Sequence, residues 1–211
     1  MRYDDRMDSQ RLLWGDRQCE VCREELFCEG LFCPTCQREI DKLLYPVASR
    51  NEGYLLASMY HYDGLIRDLL RKMKFQEGRY LSRFFAGEIV RFLEENEIFA
   101  EAVSWIPMHR RKERRRGFDH AKDLAVETAK MLDIPFLPIL RRAKPTRALY
   151  SLTAKERIGE LKGAFEAALK EDERLWLVLD DILTTGSTVD EAAKILQEAT
   201  IVNFVFLVIA R

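Results

Sequence analysis

The chain of 211 residues is 47% hydrophobic and 33% charged, with 10 glycines and 6 prolines, which excludes a disordered or fibrous polymer and leaves one main globular domain with a small appended module as the expectation. Lys and Arg number 34 against 35 Asp and Glu, a formal net charge of -1, so attraction to a polyanion has to come from local patches and not from an overall field. The longest apolar run, 204–210, is about a third of the ~20 residues a membrane helix needs, and the N-terminal stretch MRYDDRMDSQRLLWGDRQ is acidic where a signal peptide is basic; a cytoplasmic protein without membrane insertion is expected.

In chain order, an N-terminal tail (1–18) precedes Cys19-x-x-Cys22 and Cys33-x-x-Cys36, two knuckles ten residues apart with Cys28 as the odd one between them. In a reducing compartment clustered cysteines bind metal more often than they pair. Cys19, Cys22, Cys33 and Cys36 can close four thiolates around Zn²⁺, and such a site is structural because it keeps no open position. The module and its connector are assigned to residues 19–52, and an α/β domain to 53–211.

Within that domain YLLASMYHY (54–62) reads as a strand, and Asp63 caps a helix with Leu65, Ile66, Leu69, Leu70 and Met73 on one face and Arg67, Arg71, Lys72 and Lys74 on the other. A helix follows over about 80–96, then a short buried strand at 102–107 and a basic loop, HRRKERRRGFDHA, with six Lys/Arg between Arg110 and Arg116. A helix over about 120–132, a strand near 136–140 and a loop, RRAKPTRALYSL, come next. Thr153 and Glu156 form a T-x-x-E box opening a helix that Gly163 ends. The closing elements are a strand at 175–179, a polar loop, a helix over about 188–199 and a strand at 202–209. Apolar strands alternating with helices imply a mostly parallel sheet covered on both faces, whose ligands sit beyond the carboxyl ends of its strands.

LWLVLDDILTTGST (175–188) lies at such an end. Asp180 and Asp181 emerge at the strand tip, and Thr184, Thr185, Gly186, Ser187 and Thr188 wrap the start of a helix, where outward N–H groups and the helix dipole suit a phosphate. Carboxylates a sugar's length from a phosphate can accept from vicinal hydroxyls, so a ribose 5-phosphate unit fits both ends. GxxxxGK[ST] and GxGxxG are absent, which disfavours an ATPase or a dinucleotide enzyme.

LVLDDILTTGST resembles the phosphoribosyl pyrophosphate (PRPP) motif of type I phosphoribosyltransferases. That resemblance implies the type I phosphoribosyltransferase fold, Asp180 and Asp181 on the ribose hydroxyls, Thr184 to Thr188 on the 5-phosphate, Mg²⁺ chelated by the substrate, and displacement of pyrophosphate at the anomeric carbon. Cations are then needed at the leaving group, and the basic segment supplies His109, Arg110, Arg111 and Arg116 for pyrophosphate. The surplus at Arg114, Arg115 and Arg116 suits nucleic acid, although Phe118 is the one aromatic nearby. Four cysteines upstream of a PRPP motif, with MKF at Lys74, IPMHRRKERRRGFDHA and KERIGELKGAF, resemble the ComF family, whose fold joins a zinc ribbon to a phosphoribosyltransferase domain.

Family membership implies a part in competence and DNA uptake, with single-stranded DNA and the DNA-uptake helicase machinery as partners beside PRPP. The chain departs from the family at Asp119 (commonly Asn), Leu149 (commonly Gln) and Glu160 (commonly Asn), the last two in or beside the segment matching the mobile catalytic loop. The acceptor is unassigned, and the second reading is a non-catalytic nucleic-acid-binding or regulatory protein. His61, His109 and His120 show no motif partner for acid or base work, so structural or solvated roles are expected of them.

Overall fold

A computed structural model describes residues 18–26, 30–51, 53–75, 78–145 and 154–211. Five strands, β1 (Leu44–Asn51), β2 (Tyr54–Tyr60), β3 (Ala102–Trp105), β6 (Trp176–Ile182) and β7 (Phe204–Ala210), form one sheet in the order β1-β2-β7-β6-β3. β2, β7, β6 and β3 are parallel, and β1 is an antiparallel edge. Two further strands, β4 (Leu140–Arg142) and β5 (Phe165–Ala167), pair antiparallel apart from it.

Both faces are covered, because the inner strands are apolar on both sides. One core joins Leu177 and Leu179 of β6 to α2 (Gly64–Met73), α3 (Leu81–Glu95) and α5 (His120–Leu132); the other joins Trp176 and Val178 to α7 (Ser187–Glu198). Side chains alternate along a strand, so Asp181 falls on the α2/α5 side of the sheet and Asp180 on the α7 side. The expected α/β class, a mostly parallel sheet flanked by helices with a cysteine module at one end, is what forms.

The segment assigned to the cysteine module and its connector contains α1 (Pro34–Asp41) and the whole of β1, and it shares the first core through Cys19, Leu26, Phe32, Cys33, Cys36 and Ile40. Two local expectations need correction. Near 136–139 only an isolated bridge from Phe136 to Val103 forms, and the strand runs over Leu140–Arg142, from the last residue of the expected strand into the expected loop; prolines at 135 and 138 remove ladder donors there. The basic segment is a helix, α4 (Arg110–Arg116): His109 Nδ1 accepts the Arg111 N–H, and Gly117, at φ 89°, closes it. That positive φ strains any residue with a Cβ. The helix α6 (Ala154–Leu161) stands where expected, but Thr153, Leu149 and Cys28 lie outside the described residues.

Asp119 fastens the crevice side of this frame. It is 4% exposed; one oxygen accepts N–H bonds from Ala121 (3.2 Å) and Lys122 (3.3 Å), capping α5, and the other accepts from the Trp105 indole (3.2 Å) and the Met108 N–H (3.1 Å). All four partners are donors. A carboxylate can accept from all of them, whereas an amide turns its NH₂ onto two. Asp119→Asn is expected to cost about 1–3 kcal/mol by leaving buried donors unmatched, and urea unfolding would read it as a lower midpoint at unchanged slope.

Candidate functional site

The tip of β6 lies between β7 on one side and β3 on the other, both parallel to it. Ligands of such sheets sit beyond the carboxyl ends of the strands. α7 starts directly behind the tip: Gly186 caps it at φ 80°, a left-handed conformation that glycine adopts freely, and the Thr185 and Ser187 hydroxyls lie 3.0 Å apart. Thr184 and Thr185 are exposed, and Gly186, Ser187 and Thr188 partly so, leaving the helix N-terminus open to an anion. Asp190, one turn in, accepts the Tyr54 hydroxyl at 2.6 Å.

The two carboxylates have different surroundings. Asp181 is 8% exposed. Its Oδ1 accepts the Ile182 N–H (2.9 Å), and its Oδ2 meets Lys74 Nζ (2.7 Å) and His120 Nε2 (3.0 Å). Burial alone would raise its pKa, but the hydrogen bond from His120 and the charge and hydrogen bond of Lys74 hold it well below the usual carboxylate range. Asp180 is half-buried and accepts the Asp181 N–H (2.9 Å). Burial first, and then the Asp181 charge beside it, push its pKa well above the ordinary value. Arg142 of β4, stacked 4.5 Å over the Phe165 ring, faces it: burial lowers the Arg142 pKa and the Asp180 charge opposes that shift.

Lys74, noted in sequence for its place in MKF, caps the C-terminus of α2. His120, expected to be structural or solvated, is instead the first residue of α5 and touches the acidic pair. The signal that could have found it is its place just after the helix cap Asp119, beyond the β3 end of the same sheet. Arg116 Nη1 lies 2.8 Å from His120 Nδ1, so Arg116 is linked to Asp181 through the His120 ring. Among the described residues no hydrogen bond or ion pair joins His109, Arg110 or Arg111 to the acidic pair; they begin α4, and Arg114 and Arg115 are exposed on its last turn. The Lys112 pKa is lowered, first by desolvation and then by the Arg142, Arg115 and Arg116 charges. Phe118, at 5% exposure, lies under the Arg79 guanidinium and offers no stacking surface.

The Cys19, Cys22, Cys33 and Cys36 sulfurs all lie within 4.8 Å of one another, with Cys22 and Cys33 at 3.7 Å. A tetrahedral Zn²⁺ with ~2.3 Å bonds places its sulfurs about 3.8 Å apart, so this cluster fits such an ion. The Cys33 N–H donates to Cys19 Sγ (3.3 Å) and the Cys36 N–H to Cys33 Sγ (3.4 Å). Burial opposes ionisation of Cys19, but the N–H groups of Cys22, Cys33 and Val21 outweigh it and bring its pKa down to about 6. Thiolate is the form a metal takes.

No family model matches the chain. Competence protein F of Haemophilus influenzae is 30% identical over 208 residues, covering 86% of this chain and 91% of that protein. Competence protein ComFC of Streptococcus pneumoniae is 28% identical over 200 residues, covering 89% and 86%. Among solved structures, adenine phosphoribosyltransferase from Thermoanaerobacter pseudethanolicus aligns over 81% of this chain and 85% of its own at 16% identity, with a TM-score of 0.39.

The raised pKa of Asp180 has a sign that stability measurements can check. The folded state keeps this proton at pH values where the unfolded chain, at about 3.9 for Asp, has lost it, so Asp180 lowers stability as pH rises through that window. Asp180→Asn is expected to raise the neutral-pH melting temperature by about 2–4 °C for each kcal/mol relieved. The gain should vanish below about pH 4, where both states are protonated.

Proposed function

Because the chain belongs to the ComF (competence protein F) family, we propose that its α/β domain is a type I phosphoribosyltransferase domain that binds PRPP and acts in DNA uptake. The observation that carries this reading is the β6 tip, where a carboxylate pair stands beside an open helix N-terminus with Lys74, Arg116 and Arg142 around it. The loop 184–188 takes the 5-phosphate on the N–H groups that begin α7, and the acidic pair offers carboxylate oxygen to the ribose hydroxyls. Mg²⁺, carried in by the substrate, offsets charge on pyrophosphate when bound.

In the transfer the bond from the anomeric carbon to pyrophosphate breaks with its electron pair on the leaving oxygen. An acceptor nucleophile forms the new bond and gives up its proton. Cations of α4 and α2 stabilise the charge that develops on the leaving group.

The four cysteines are proposed to hold a structural Zn²⁺ that fastens residues 19–52 to the domain of 53–211. A second reading, binding of single-stranded DNA, is favoured by α4, where all six Lys/Arg are exposed and Glu113 is the one acid. Among the described residues no helix is long and apolar enough to cross a membrane.

Calorimetric titration with PRPP and Mg²⁺ is expected to show binding by the wild type and a loss of at least about tenfold in Asp180→Asn/Asp181→Asn, the cost of one charge-assisted contact or more; no wild-type binding would sink the reading. DNA binding requires a salt-dependent mobility shift that Arg114→Ala/Arg115→Ala/Arg116→Ala abolishes. For the cysteine cluster, about one zinc per chain is expected by elemental analysis. Chelation should lower the melting temperature, and a metal-free protein of unchanged stability would refute the structural role.

A further inference from the structure

Asp181 already accepts three of the about four bonds that its two oxygens can take. Oδ1 takes the Ile182 N–H, and Oδ2 takes both Lys74 and His120. A guanidinium has no lone pair, so His120 Nδ1 must accept from Arg116, and Nε2 then carries the ring proton and donates to Asp181. The contacts form a string, Arg116 to His120 to Asp181 to Lys74, drawn from α4, α5, β6 and the end of α2. At its two ends stand the cations. The Lys74 side chain is 28% exposed and its Nζ spends one of three N–H bonds on Asp181, and Arg116 is exposed with N–H groups to spare. His120, with a side chain 9% exposed, has both ring nitrogens engaged.

We propose that Asp181 is a tether and not a ribose ligand: directly and through His120 it holds Lys74 and Arg116 as the cation pair that receives the pyrophosphate of PRPP, leaving Asp180 to meet the ribose hydroxyls. Lys74 becomes a pyrophosphate-binding residue, and Asp181 and His120 are positioning residues. A tether of this kind needs a buried, ionised carboxylate between two cations, and Asp181 is the buried member of the pair. The hydroxyls need a carboxylate reachable from the crevice, and Asp180 is the more exposed one.

This division rests on the PRPP reading, and two ligands separate the two. Full-length wild type, Asp180→Asn, Asp181→Asn, Lys74→Met, His120→Ala and His120→Gln would each be titrated with PRPP and with ribose 5-phosphate, which lacks the pyrophosphate. Lys74→Met and Asp181→Asn are expected to weaken PRPP about tenfold, the worth of a charge-assisted contact, with ribose 5-phosphate changed less than about twofold. Asp180→Asn should weaken both ligands. The double variant Lys74→Met/Asp181→Asn should bind PRPP no worse than either single one, because coupled residues are not additive.

His120→Gln can accept from Arg116 and donate to Asp181, so it should keep the affinity that His120→Ala loses. The tether is overturned if Asp181→Asn weakens ribose 5-phosphate as much as Asp180→Asn does, if Lys74→Met leaves PRPP binding unchanged, or if the double variant is additive. Lys74→Met keeps the test open should Asp181→Asn unfold. A wild type that binds neither ligand overturns the PRPP reading itself, and the tether with it.

Discussion

Two adjacent carboxylates at the end of a buried central strand govern the arrangement around them. At about 4 Å and an effective dielectric near 20, two like charges repel by about 4 kcal/mol, more than an ordinary hydrogen bond of ~1 kcal/mol returns. The fold meets this cost from both faces of the sheet. On one face Lys74 and His120 hold the Asp181 pKa well below the usual carboxylate range; on the other Arg142 faces Asp180, whose pKa is raised by burial and by the Asp181 charge. Elements as far apart in the chain as α2, α5 and β4 converge on β6 because each delivers one of these groups.

Asp119 couples that convergence to the basic helix. Its four accepted bonds tie the end of β3, the start of α4 and the cap of α5 to one buried carboxylate, and His120 follows it directly. The cysteine module is joined to the same frame. Phe32 meets Phe84 of α3 edge to face at 4.9 Å, and Glu20, between the first two cysteines, pairs with Lys72. Lys72 and Lys74 lie within one turn of each other, so the end of α2 touches the cysteine module on one side and the acidic pair on the other.

The fold class and the heart of the site were legible in the sequence because they are written in short, contiguous patterns. The apolar run into DD marks a strand tip, and TTGS marks a helix start with a glycine where φ must be positive. The Cys-x-x-Cys pairs mark a cluster by spacing alone. The basic segment was legible in composition but not in conformation. His109 and Gly117 act as caps only because their backbones take β and left-handed conformations that the neighbouring charges do not announce. The β4 and β5 strands were missed because a three-residue strand carries too few alternations to register as a period.

From the sequence by itself came an α/β domain, an anion site behind two carboxylates, and four cysteines placed to share a metal, since each depends on neighbours within about one element of the chain. Only the tertiary structure decided what surrounds each carboxylate. Asp180 and Asp181 are adjacent and chemically identical, and they differ because strand alternation sends one toward Arg142 and the other toward Lys74 and His120. Those partners lie tens of residues away in the chain. Burial and long-range charge set their protonation, and neither is a property of a local string of residues.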